Sequence, residues 1–215
     1  MRIVLMVEGQ TEKVFLPYLR GFLEARLSGK MPKLVTNCYD GRIPKGGKLK
    51  GAVRLLLGDR KRPANAVIAL TDVYTGTKDF VDAAAAKAKM REWVGDEPLF
   101  FPHAAQHDFE AWLLPYWPVI QQVSGTHRPA IQGPPEQVNH DQPPADRLKE
   151  VFRLSTKGRY YVKTRNTTRI LRNQDLMVAV QACPELKSMV NTIFFSPRRI
   201  QFSLTVPSGS SVWLG

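Results

Sequence analysis

Residues 2–12, "RIVLMVEGQTE", decide the fold. Arg2 is followed by Ile3-Val4-Leu5-Met6-Val7, an apolar run rich in β-branched side chains and without polar alternation, which is the pattern of a strand covered on both faces. The run stops at an acid, Glu8. Gly9 and a second acid, Glu12, open a segment in which Phe15, Leu16, Leu19, Phe22, Leu23 and Leu27 recur at helical spacing. That spacing predicts an amphipathic helix starting at Gln10 or Thr11.

The alternation repeats along the chain. "KLVTNCYDG" (33–41) reads as a short strand, and "GRIPKGGKLKG" (41–51) as a flexible basic loop leading into the helix "GAVRLLLGDRKR" (51–62). "NAVIALTDVY" (65–74) is a second buried strand that ends in an acid, Asp72. An alanine-rich helix then stops at Gly95, and "PLFFPHAAQHDFEAWLLPYW" (98–117) gives a strand, a loop and a helix carrying Glu110. Strands alternating with helices predict the α/β class, a mostly parallel sheet flanked by helices. The expected division is an α/β core over 1–122, a Pro/Gly-rich loop or linker over 123–144, a basic, mainly helical extension over 145–195 and a tail over 196–215. The tail reads as a strand or as partly disordered chain.

Thirty-one Lys and Arg against 19 Asp and Glu give a formal charge of +12, and the isoelectric point is near 9.9. Such a balance favours a polyanionic partner, with nucleic acid first, through phosphate neutralisation and counterion release. No apolar stretch approaches the roughly 20 residues that span a bilayer, and the N-terminal run is too short for a signal peptide, so a cytoplasmic protein with no membrane partner is expected. Cys38 and Cys183 are far apart and have no companion at metal-ligand spacing.

The acids carry the chemistry. Glu8 and Asp72 end strands, and Glu110 starts a helix after a third strand. In an open parallel sheet the carboxyl ends of the strands share one rim, where ligands bind, so acids remote in sequence can meet there. Grouped carboxylates repel and take up protons unless a cation neutralises them, and hard oxygen ligands suit Mg²⁺ or Mn²⁺. Any one of these acids alone is also what a helix N-cap or a loop looks like. Glu12 fits a first-turn acid that complements the helix dipole.

These residues carry a family resemblance. "VLMVEGQTEKVFLPYL" resembles the opening motif of the Toprim superfamily, and its "VEGxTE" form is similar to the OLD-type nuclease branch. "VIALTDVY" resembles the second motif and "HDFEAWLL" the third acidic segment. "PPEQVNHDQPP", "YVKT" and "LMVAVQACPELKSMV" are similar to later parts of the bacterial family named domain of unknown function 4276, so the resemblance spans about positions 1 to 193. It implies a Toprim-like parallel sheet between helices and divalent-metal-dependent chemistry on phosphodiester bonds. By matching position, Glu8 is a metal ligand or general acid/base, Asp72 and Glu110 are metal ligands, and Gly9 lets backbone approach phosphate closely. Tyr74 departs from the Asp-x-Asp of many members. A phenol is a poor Mg²⁺ ligand near neutral pH, which points to one metal rather than two.

Further residues extend the site. On a helix His107 would share a face with Glu110, placed to position a water or protonate a leaving oxygen, or simply to cap and pack. Asp108 reads as an N-cap, and His103 as a loop histidine. Lys45, Lys48 and Lys50, interleaved with glycines, fit phosphate tracking but lack the P-loop pattern. Lys157, Arg159, Lys163 and Arg165 are interleaved with Tyr160 and Tyr161, a mixture that suits backbone charge plus base stacking.

The sequence thus supports a nuclease acting on DNA or RNA, and the resemblance implies an effector in a bacterial defence or mobile-element system working with an ATPase partner. The alternative, favoured by Tyr74, is a catalytically inactive adaptor or nucleic-acid-binding subunit of the same fold.

Overall fold

Strand β1, Arg2–Val7, is buried along both faces, as its unbroken apolar run requires. The computed structural model of the chain describes residues 1–27, 30–74, 80–137, 142–155 and 160–205, with the last stretch from 195 onward described as helix only. β1 pairs in parallel with β2 (Lys33–Cys38) on one side and β3 (Ala66–Asp72) on the other, and β3 pairs in parallel with β4 (Phe100–Ala105). The order in the sheet is β2-β1-β3-β4.

Helix α1 (Gln10–Glu24) returns the chain from β1 to β2, α2 (Gly46–Leu57) from β2 to β3, and α3 (Ala83–Val94) from β3 to β4. Because successive strand residues face opposite sides, each strand serves two cores. Ile3, Leu5, Val7, Ile68 and Leu70 pack with Phe15, Leu19 and Leu23 of α1. Val4, Met6, Val67 and Ala69 pack on the other side with Leu49 and Val53 of α2 and Met90 and Val94 of α3.

So the chain leaves β1 toward one face and β3 toward the other. Between their carboxyl ends lies a topological switch point, the place in such sheets where a crevice opens.

Beyond β4 come a 3-10 helix (Phe109–Tyr116), α4 (Trp117–Ser124), a short 3-10 turn (Pro135–Gln137), α5 (Pro144–Arg153), α6 (Lys163–Leu171), α7 (Met177–Ala182) and α8 (Pro184–Thr205). They thicken the α1 side: Trp112, Leu148, Phe152, Ile170, Val180 and Leu186 join the core that holds Ile3 and Leu5. Glu136, in the Pro/Gly-rich stretch, is buried and accepts from Trp112 Nε1 at 2.9 Å and from the Glu185 amide at 3.0 Å. It ties that stretch to the core. Among the described residues no helix is long and apolar enough to cross a membrane.

Three expectations change. Helix α2 begins at Gly46, inside the stretch expected to be a flexible basic loop, because glycines are tolerated in a first turn that tertiary packing of Leu49 and Val53 secures. The helix that carries Glu110 is a 3-10 helix for its first eight residues and becomes α-helical only at Trp117. The tail is helical to Thr205: a helix nucleated on buried Leu186, Met189, Val190 and Ile193 continues through Pro197, forgoing one backbone hydrogen bond. Residues 206–215 lie outside the described residues.

Two substitutions test this architecture by urea denaturation. Ile68→Ala, at a fully buried site in an interior strand, is expected to cost about 2–5 kcal/mol. Glu136→Ala strands the buried Trp112 Nε1 donor and frees the part-buried Glu185 amide, and is expected to cost about 1–3 kcal/mol; an unchanged midpoint would show that Glu136 is not a clamp.

Candidate functional site

The parallel register sets Val7 opposite Leu70, so the next residues along, Glu8 and Thr71, meet where the two strands end. There the Thr71 hydroxyl donates to Glu8 Oε1, in a short hydrogen bond between buried partners. One residue further along β3 is Asp72. The residue is half-buried, but its Oδ1 is wholly buried and accepts no hydrogen bond among the described residues.

The neighbouring acids come from the two segments that follow β1 and β4. Gly9 caps α1, and its amide donates to Glu12 Oε2 at 3.2 Å, which turns the buried Glu12 carboxylate back toward the rim. Asp108 caps the 3-10 helix: its Oδ1 accepts from the Glu110 amide at 3.1 Å and its Oδ2 from the Ala145 amide at 3.0 Å. Glu110 is fully buried. Its Oε1 accepts from the Tyr161 hydroxyl at 3.3 Å and its Oε2 from Lys163 Nζ at 3.1 Å.

Electrostatically these groups are one system. Burial first, and then the charges of Glu12, Asp108, Glu8 and Glu110, hold the Asp72 carboxyl well above the usual carboxylate range. Burial pushes Glu8 up to about 7 against the opposing Thr71 hydrogen bond, with Glu12 adding to the rise and Arg42 opposing it. Asp108 is also raised to about 7, by burial and then by Glu110. Glu12 is raised by burial and by Glu110, while Lys163 works the other way. The Lys163 ammonium is raised despite its own desolvation, because Glu110, Asp72 and Asp108 face it.

Among the described residues, however, no three His, Cys, Asp or Glu side chains converge closely enough to coordinate one ion. Glu8, Asp72 and Glu110 share one field without meeting at a point. The donor chemistry nonetheless fits a hard divalent cation: the set is all carboxylate oxygen, and Asp72 Oδ1 is left without a hydrogen bond among the described residues.

The remaining expected residues divide. His107 is buried, but it precedes the N-cap in a left-handed conformation (φ 68°), so it does not share a helix face with Glu110. Its ring packs on Tyr74, with centroids 5.0 Å apart. His103 lies on β4, buried, with Nε2 2.9 Å from Thr192 Oγ1, and burial lowers it to about 4. Gly9 has an extended backbone (φ −144°) open to any residue, and its amide is already engaged by Glu12.

Of the lysines, Lys45 caps α2 and borders a small cavity with Glu8, Arg42 and Thr71. Lys48 is exposed on α2, while Lys50 reaches toward Gly95, away from the acids. Lys163 is brought into the acidic group. Arg165 is exposed, beside Tyr160. Lys157 and Arg159 lie outside the described residues.

Sequence reading missed Glu12 and Asp108 as members of the group. Their signal was the spacing Glu8-x-x-x-Glu12 and Asp108-x-Glu110, which puts a second acid within one turn of each expected one.

The architecture is found in solved structures. The C-terminal region of the Burkholderia pseudomallei OLD protein superposes with a TM-score of 0.50 at 14% identity, covering 93% of this chain and 98% of that one. The C-terminal region of the Xanthomonas campestris pv. campestris OLD protein gives a TM-score of 0.48 at 17% identity, over 95% and 98% of the two chains. No curated protein matches the chain. The sequence family described as Domain of unknown function (DUF4276) matches residues 7–193, from the last residue of β1 through the buried part of α8, and so takes in every acid of the rim. With the Toprim-like α/β fold and that match in hand, the chain belongs to the DUF4276 family.

Proposed function

We propose that the protein is a nuclease that hydrolyses phosphodiester bonds in DNA or RNA and depends on Mg²⁺ or Mn²⁺. The observation that carries this reading is Asp72 Oδ1, buried at a topological switch point in the field of Glu8, Glu12, Asp108 and Glu110. A fold shared with the C-terminal region of an OLD protein and a net charge of +12 support it. Glu8, Asp72 and Glu110 would hold the ion, with Glu12 and Asp108 beside them. A bound divalent ion supplies charge neutralisation at the phosphate and a more acidic water.

The chain's own groups do the rest. Glu8, raised to about 7, can give or take a proton near neutrality. Lys163 pairs with Glu110 and leaves an ammonium 45% exposed at the edge of the group, where a substrate phosphate would meet it. Lys45 brings a second cation to the Glu8 side. His107 and Gly9 stand as turn and cap residues in this arrangement, which keeps their part to positioning. The biological setting in this reading is a bacterial defence or mobile-element system with an ATPase partner. The solved relatives are C-terminal regions of OLD proteins, which supports a partner supplying what lies outside that region.

One observation favours the second reading, an inactive adaptor: the Lys163–Glu110 ion pair already compensates one acid without a metal. Calorimetric titration with Mn²⁺ separates the two, since the nuclease reading expects saturable binding and the adaptor reading expects none.

Glu8→Gln and Asp72→Asn are each expected to reduce Mg²⁺-dependent cleavage of plasmid DNA and labelled RNA by at least about 100-fold. Undiminished cleavage in both would end the assignment of the carboxylate rim as the catalytic site.

The raised carboxyls also make stability depend on pH. The folded protein holds a proton on Glu8 up to about 7, whereas the unfolded chain releases it near 4.5. The native state therefore binds more protons across that window, and stability falls as pH rises through it. The metal-free Tm is expected to drop between about pH 5 and pH 7, less so in Glu8→Gln, and Mg²⁺ or Mn²⁺ to raise it more above that window than below it.

A further inference from the structure

Residues 160–163 alternate. Tyr161 and Lys163 turn inward, the one donating to Glu110 Oε1 and the other to Oε2, while Tyr160 turns outward with 78% of its surface exposed. Alternation of this kind is what an extended segment produces. Tyr160 lines an open groove with Val123, Arg165 and Arg169, and Arg165 Nη2 donates to the Tyr160 carbonyl at 3.2 Å, fixing a guanidinium next to the ring's own backbone. Arg165, on the first turn of α6, and Arg169, on its last, are both exposed. The groove and the acids are thus two sides of one strap: from Tyr160 to Lys163 is at most about 10 Å of backbone.

An exposed phenol ring offers a flat face for stacking, and the charges beside it select what can stack there. Two arginines and an aromatic face, with no acid lining the groove among the described residues, match a chain of phosphates that carries free base faces. In a duplex those faces are already stacked on one another. In a single strand they are open.

We infer that the Tyr160–Arg165–Arg169 groove binds a single-stranded segment of nucleic acid and feeds it to the carboxylate rim, making unpaired strands the substrate class. The inference rests on the reading of that rim as a phosphodiester site. Arg165 and Arg169 hold phosphates, and Tyr160 stacks on one base without reading its identity. Lys163, on the inner side of the strap, takes the next contact toward Glu110.

Binding in excess chelator tests the groove without calling on catalysis. Fluorescence anisotropy of the full chain is measured with a labelled oligothymidylate and with a blunt duplex of the same length. The expected result is tighter binding of the single strand, a loss of at least about fivefold in Tyr160→Ala, retention in Tyr160→Phe, and no change for the duplex. Arg169→Ala is expected to lower the slope of log affinity against log salt for the single strand by about 0.7. Tyr160 is exposed, so an unchanged thermal melt certifies that the variant is folded. Equal affinity for duplex and single strand, or a Tyr160→Ala variant that binds the single strand as wild type does, overturns the inference. If cleavage survives Glu8→Gln and Asp72→Asn while the groove variants lose binding, the rim's catalytic assignment falls and the strand-binding groove stands.

Discussion

Carboxylate repulsion in a water-poor rim is the constraint around which the rest of the structure is arranged. Glu8, Glu12, Asp72 and Asp108, near the ends of β1, β3 and β4, are raised by burial and by neighbouring acids, Glu110 among those acids. Ions this close in a low dielectric cannot all stay charged without compensation. The chain supplies part of it: Thr71 donates to Glu8, backbone amides donate to Glu12 and Asp108, and Lys163 pairs with Glu110. Asp72 Oδ1 is the atom without a hydrogen bond among the described residues, and it sits at the centre of the field. A protein selected for stability alone would replace that acid with an apolar or amide side chain. Asp72 Oδ1 is therefore the atom on which the proposed ion would act most.

The sheet was legible because its physics is local. Strands covered on both faces cannot alternate, so β1 and β3 stand out as continuous apolar runs, and each must hand over to a helix that covers it. The start of α1 at Gln10 was legible too, but that of α2 was not. Gly46 and Gly47 argue for a loop on propensity, yet Leu49 and Val53 dock on the sheet and pull the helix back over them. Pro197 argues for a break in the same way and is overridden by the helix that precedes it. At the glycines, tertiary burial won over propensity.

Site residues divide along a similar line. Glu8 and Asp72 could be read because a strand end fixes where a side chain goes. Glu12 and Asp108 could not, since a first-turn acid and an N-cap are ordinary helix furniture, and here each is both a cap and a member of the charged group. Lys163 was grouped with the basic residues around it and expected to meet phosphate. The period-two alternation of the strap, which sends Lys163 and Tyr161 inward and Tyr160 outward, divides that basic stretch into an inner and an outer function. Composition records the charge and cannot record the side.

Tyr74 shows how a motif can be altered while its geometry is kept. It occupies the place where many Toprim proteins carry a second aspartate, and on chemical grounds it is no Mg²⁺ ligand. In the structure its amide donates to the His107 carbonyl at 2.6 Å and its ring packs against the His107 imidazole. His107 is held at φ 68°, a left-handed conformation that a non-glycine residue adopts at a cost. The next residue is Asp108, whose carboxylate caps the helix bearing Glu110. Tyr74 therefore braces the turn through which β4 delivers two acids to the rim. Standing two residues after Asp72, it thus acts through the turn that sets Asp108 and Glu110 beside that acid.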